Sequence, residues 1–232
     1  MPQDVRMKWD ERAREGMNVA LNEAEVLGLR LEESGAWCDL LLHVVALPEH
    51  GSIDPDRRRI LRLRRPGHVT VLLRPDEMEA SGYGDAIPLG GLEDVEAFFA
   101  SLTRSDTMYG WSFLHHPAPP SDWPAEPSLT VKLRGDAAPH SLYWFNECGR
   151  DDAAYCIEGV VTFDDIEVLR ADGTPEPVDE FVADGARYWQ ALNANDERLD
   201  VDAQTAAMTG TPTWRSYAGV SVTVRGTNSP GD

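Results

Sequence analysis

One stretch, Tyr155 to Gly173 (YCIEGVVTFDDIEVLRADG), constrains the fold more than any other part of this chain. An apolar run ends at the acidic pair Asp164-Asp165, a second apolar run follows, and Asp172-Gly173 turns the chain into the segment Pro177 to Leu192. There Val178, Phe181, Val182, Tyr188, Trp189 and Leu192 form an apolar stripe at helical spacing, so the unit reads as strand, turn, strand, tight turn and helix. A chain organised around such a unit is α+β, with antiparallel or mixed sheets and a helix packing against each group of strands.

The same grammar occurs earlier. Val26 to Leu31 and Trp37 to Leu47 read as adjacent strands around a turn at Glu33 to Gly35, and Val69 to Leu73 as another strand. Leu92 to Leu102 (LEDVEAFFASL) is an amphipathic helix expected to pack on the first sheet. The tails HVTVLLRPD and DIEVLRADG resemble one another, and each precedes a helix, a pattern that a degenerate duplication would leave. Residues 4–17 have helix-forming composition that ends at Gly16, Tyr109 to His115 reads as a strand, and Trp214 to Val224 alternates as a last strand.

Five prolines within the thirteen residues HHPAPPSDWPAEP preclude regular structure there. The expected division is an N-terminal half (1–116), a Pro-rich linker (117–128) and a C-terminal half (129–232), with packing of the halves as one domain left open.

At 232 residues and a hydrophobic fraction of 42%, the chain is long and apolar enough for a substantial core. Its net charge of −19 repels phosphate backbones and anionic lipid, which argues against nucleic-acid and membrane-surface roles and for a cationic protein partner. A charged N-terminal segment without an apolar stretch leads to the expectation of a cytoplasmic protein. Cys38, Cys148 and Cys156 are odd in number and lack CxxC spacing, so buried free thiols are expected in place of disulfides or a zinc knuckle.

Candidate functional residues are scattered. Arg62 and Arg64 lie at strand spacing and share one face, where they can hold an anionic group or pair with neighbouring carboxylates; cross-strand pairing is the favoured reading. Asp164 and Asp165 suit a hairpin turn and remain candidate partner contacts. His140 and Trp144 are candidates for lining a cleft between the halves. His115-His116 cannot easily serve one ion from regular structure, DDAAYCIE lacks the alternating acidic pattern of a calcium loop, and no GxSxG, HExxH, phosphate-loop or dinucleotide fingerprint is present. No cofactor or metal is therefore expected, and catalysis is the less favoured class.

The segments NEAEVLGLRLEESGAWCDLLLHVVAL and GHVTVLLR together resemble the strand-rich start of bacterial immunity-type proteins from polymorphic toxin systems, over roughly the first third of the chain. The resemblance implies a small, acidic, cytosolic protein that binds its partner without catalysis. It carries over no functional residue. The alternative kept beside it is a small-molecule-binding protein or enzyme with its cleft between the halves.

Overall fold

The computed structural model describes residues 10–54, 56–77, 82–112, 120–150 and 153–199, with backbone alone at 77, 82 and 104–112. In chain order the elements are α1 (Glu11–Ala20), β1 (Glu25–Leu31), β2 (Trp37–His43), β3 (Arg58–Arg64), β4 (His68–Glu77), β5 (Gly82–Tyr83), α2 (Leu92–Ala100) and β6 (Arg104–Ser112). They continue with β7 (Leu129–Lys132), β8 (His140–Arg150), β9 (Ala153–Phe163), β10 (Asp165–Arg170), β11 (Pro175–Glu176) and α3 (Val178–Ala194). The α+β expectation holds: sheet A runs β1-β2-β3-β10-β11 and sheet B runs β5-β4-β9-β8-β6, with β7 also paired to β4; every pairing is antiparallel.

The element that joins the sheets is a bent two-stranded ribbon. β3 pairs with β10, and after the bend at 65–67 the continuing strand β4 pairs with β9, the strand that leads into β10. The register passes from Arg64 opposite Asp165 to Val69 opposite Val161. Across the bend the Asp164 amide donates to the Arg64 carbonyl (3.0 Å) and the Gly67 amide to the Thr162 carbonyl (2.8 Å). Strands that switch sheets at a bend are how two stacked sheets share a corner. Sequence spacing predicts β9 and β10 as a hairpin; in the structure they do not pair with each other, because Asp164 sits in the bend and the two strands enter different sheets. Strands from both sides of the proline-rich segment thus contribute to both sheets.

The core lies between the inner faces. Leu29, Leu40, Leu61 and Val168 are in cross-strand register on sheet A, and they share one cluster with Val71, Leu142, Trp144, Val161 and Phe163 of sheet B. α2 closes this layer through Val95, Phe98 and Phe99, and packs on β1 as expected. Asn146 bridges the sheets: its amide accepts from the Val26 backbone (3.2 Å) and donates to the Val26 carbonyl (2.6 Å), beside the bulge between Val26 and Gly28. A buried backbone that leaves its ladder at a bulge needs such a partner.

α1 begins at Asp10, whose carboxylate accepts from the Ala13 amide (3.0 Å), and it runs through Gly16 where composition suggests an end. Gly16 faces Val182 and Gly185 faces Ala20, so α1 and α3 lie side by side in the same chain direction. A Cβ on Gly185 would overlap the backbone of Ala20. Trp189 Nε1 then donates to the Val19 carbonyl (3.0 Å). Residues 4–9 of the expected first helix, 113–115 of the expected strand, and Trp214 to Val224 lie outside the described residues.

Gly185→Ala gains helix propensity of about 1 kcal/mol at an exposed site, but here overpacking against the Ala20 backbone, typically about 1–3 kcal/mol, outweighs it. The expected outcome is a net loss of up to about 2 kcal/mol in urea denaturation. A variant as stable as the parent would show that α1 and α3 are not in contact at this level.

Candidate functional site

Among the described residues, the outer face of each sheet carries one deeply buried carboxylate held by arginine. On sheet A a row in cross-strand register reads Arg30, Asp39, Arg62, Glu167. Asp39, fully buried, receives Arg62 Nε and Nη2 at 2.8 Å each, with Arg30 at 3.4 Å. Arg64 reaches Glu167 in the same two-pronged manner (2.9 and 2.8 Å), and the Arg62 guanidinium stacks 4.6 Å over the Trp37 ring. Bidentate pairing uses the planar fork of arginine, and alternating charges across strands stabilise the sheet. The favoured sequence reading of Arg62 and Arg64, a shared face with paired carboxylates, is what the structure contains.

On the same face, beyond the row of Leu41 and Ile60, His43 lies opposite Glu25 and Arg58. Its Nδ1 is 4.0 Å from Glu25, yet burial and the nearby Arg57 and Arg58 outweigh the carboxylates and hold the imidazole neutral, with its pKa lowered to about 4.

At the sheet corner, Asp164 is bonded by both terminal nitrogens of Arg134 and paired with Arg65 (3.1 Å). The hydrogen bonds from Arg134 draw its carboxyl below the ordinary range. His140 stands close enough to add to that effect, and its ring lies 5.7 Å from Phe163. Asp165 caps its own strand, accepting from the Ile166 amide (2.9 Å). Trp144 is fully buried in the core, tilted against Phe99 and lying over Gly159, with no face toward a cleft. The six sequence candidates therefore separate into the sheet A row, the corner and the core, and do not form one site.

The polar cluster that does converge is on the outer face of sheet B. Leu72 opposes Glu158, and Arg74 opposes Cys156. Glu158, only 6% exposed, receives Arg74 Nη2 (3.0 Å) and the Tyr143 hydroxyl (3.1 Å). Burial raises its pKa, against the opposing pull of Arg74. Arg74 also lies 4.6 Å over the Tyr83 ring, while the Tyr83 hydroxyl donates to Glu147 (2.8 Å). Burial, reinforced by Glu158, pushes the Cys156 thiol up to about 12, which keeps it protonated and unreactive. Trp123 covers Leu72 and Val160. Among the described residues, Trp123 Nε1 and Arg74 Nε are buried donors without an acceptor. The cluster thus offers a protonatable carboxyl, two phenols and two spare donors, a set suited to hydrogen-bonding a polar group and not to nucleophilic attack.

Sequence reading did not single out Arg74, Tyr83, Glu147 or Glu158. The available signal was Glu158 itself, one charge inside the apolar run YCIEGVV, just as Asp39 is the one charge in WCDLLL. Among the described residues no group of three or more His, Cys, Asp and Glu side chains is placed to hold a metal ion, and no helix is long and apolar enough to cross a membrane. Comparison with family models, curated proteins and solved structures returns no match to this chain.

The His43 site makes a prediction about pH. Because the folded state holds His43 neutral while the unfolded chain takes up a proton near pH 6.5, stability is full above about 6.5 and falls as pH drops toward about 4. The total is about 3 kcal/mol at the standard 1.36 kcal/mol per pH unit. Glu158 acts in the opposite sense, since its raised pKa gives stability at low pH that is lost on raising the pH. Denaturation of the parent and of His43→Gln at pH 7, 5.5 and 4.5 isolates the histidine: the variant is expected to lose markedly less stability on acidification. Equal slopes would exclude His43 as the cause.

Proposed function

We propose that this chain is a non-catalytic binding protein of the cytosol that captures a cationic protein partner through an acidic surface, in the manner of immunity-type proteins. The observation that carries the reading is where the charges lie. The structure's arginines are largely engaged in internal pairs, with Asp39, Asp56, Glu158, Asp164, Glu167 and Glu176 among their acceptors. Among the described residues, sixteen exposed Asp and Glu side chains remain against three exposed Lys and Arg, namely Arg12, Arg65 and Lys132. Asp10, Glu11 and Glu15 of α1 and Asp179 and Glu180 of α3 sit at the same end of the parallel helix pair. Such a surface accelerates encounter with a positive partner and weakens with salt.

Affinity capture with the full chain, at low and at high salt, tests this against a variant with those five residues changed to Asn and Gln. The expected result is a basic protein recovered at low salt, released at high salt and lost from the variant. Recovery of no partner, or equal recovery by the variant, would sink the proposal.

A second reading, small-molecule binding, is favoured by the spare donors of Trp123 and Arg74 beside Glu158, so its site moves from a cleft between the halves to the outer face of sheet B. A thermal-shift screen against metals, nucleotides and sugar phosphates addresses it. A ligand at 100 times its Kd adds about 2.7 kcal/mol, and the shift should vanish in Glu158→Gln. A screen with no shift, or a shift that Glu158→Gln retains, excludes this site.

A further inference from the structure

On the outer face of sheet B, Leu72, Glu158 and Phe145 lie in one cross-strand row and Arg74, Cys156 and Glu147 in the next. Both carboxylates already hold donors: Glu158 takes Arg74 Nη2 and the Tyr143 hydroxyl on separate oxygens, and Glu147 takes the Tyr83 hydroxyl. What is left over is of one kind. Trp123 Nε1 and Arg74 Nε are N–H donors shut off from water, and among the described residues neither has an acceptor. Trp123 is 9% exposed and rests on Leu72 and Val160, the cross-strand neighbours of Glu158 and Tyr143. Arg74 reaches the same Glu158 carboxylate from the next row. A buried donor without a partner is costly, and native proteins rarely keep one unless ordered water or a bound molecule supplies the acceptor.

Charge decides which acceptor fits. The Arg74 guanidinium is bound to Glu158, and Glu147 and Asp122 bring further negative charge to the same patch. A phosphate or carboxylate would enter against that field, whereas an uncharged carbonyl accepts the same bonds without opposing it. Leu72, Val160 and the rings of Trp123 and Tyr143 flank the donors. Apolar walls with a few fixed polar groups suit a flat ring. Resting on the small-molecule reading of this face, we propose that its ligand is a ring bearing an uncharged carbonyl, as a pyrimidine base does. The carbonyl accepts from Trp123 Nε1 and Arg74 Nε, and any phosphate the ligand carries stays outside.

The test adds uridine, uridine monophosphate and ribose phosphate in turn to the full chain, reading the melting temperature and the assigned indole N–H resonance of Trp123. Uridine and its monophosphate are expected to raise the melting temperature alike and to move the resonance, while ribose phosphate does neither. Trp123→Phe keeps an aromatic ring but removes the donor, and should lose the uridine shift. Arg74→Lys keeps the charge but removes Nε, and should weaken it. Stabilisation by ribose phosphate, or by the monophosphate well beyond uridine, overturns the inference and leaves the small-molecule site standing. A Trp123 resonance that uridine does not move, or a uridine shift retained in Trp123→Phe, also overturns it. No shift from any of the three compounds means that water alone serves these donors and the inference fails; with no shift anywhere in the wider screen, the site falls with it.

Discussion

The fold depends on the bent ribbon of β3–β4 against β9–β10. Each sheet would otherwise be a separate layer, and nothing local to either would fix how they stack. Because the same two backbones supply the centre of both, the register of one sheet determines that of the other. A one-residue slip would turn every inner side chain outward, which the matched rows of Leu61 with Val168 and Val69 with Val161 forbid. The corner is held by short backbone bonds and by Arg134 and Arg65 on Asp164, so the charges the sequence places at the turn serve the bend itself.

Arginine chemistry extends the same logic to the outer faces. The chain has nineteen Arg and two Lys. Arg62 on Asp39 and Arg64 on Glu167 are side-on pairs that a lysine ammonium could not reproduce. Asp39 and Glu158 are each taken from water by neighbouring strands, and each is compensated there by arginine, Asp39 by Arg62 and Arg30 and Glu158 by Arg74. The acidic exterior is the counterpart of this arrangement, since carboxylates not needed by arginine stay at the surface.

Elements with strong periodicity were legible in the sequence. The helices at Leu92 and Val178 follow a period of 3.6, and the strands around Leu40, Val71 and Val160 stand out as short apolar runs bounded by turns. Pairing partners were not legible, because the edge that meets β3 comes from residues 103 positions away at Arg64 and Glu167. Gly16 illustrates the same limit: glycine lowers helix propensity locally, but its role is contact with Val182, which only the folded chain reveals. Trp144 misleads because an aromatic residue in a strand looks alike whether it faces in or out; the glycine opposite, Gly159, marks the pocket it fills. In the Glu158 cluster the lone charge is visible, whereas Tyr83 comes from β5, a strand of two residues that is too short to leave a period in the sequence.

The helix pair has a consequence for the order in which the molecule can form. Of the described elements α1 is made first, but it packs against α3, and the bond from Trp189 to Val19 spans 170 positions. β3 and β4 likewise emerge long before β9 and β10. A nascent chain therefore carries open strand edges and a helix without its partner until nearly all of the described residues have been made. Contacts so distant in sequence slow folding and prolong exposure of sticky edges. Maturation of this protein is accordingly a late, concerted event that a chaperone holding the growing chain would favour, in place of a stepwise assembly from the N-terminus.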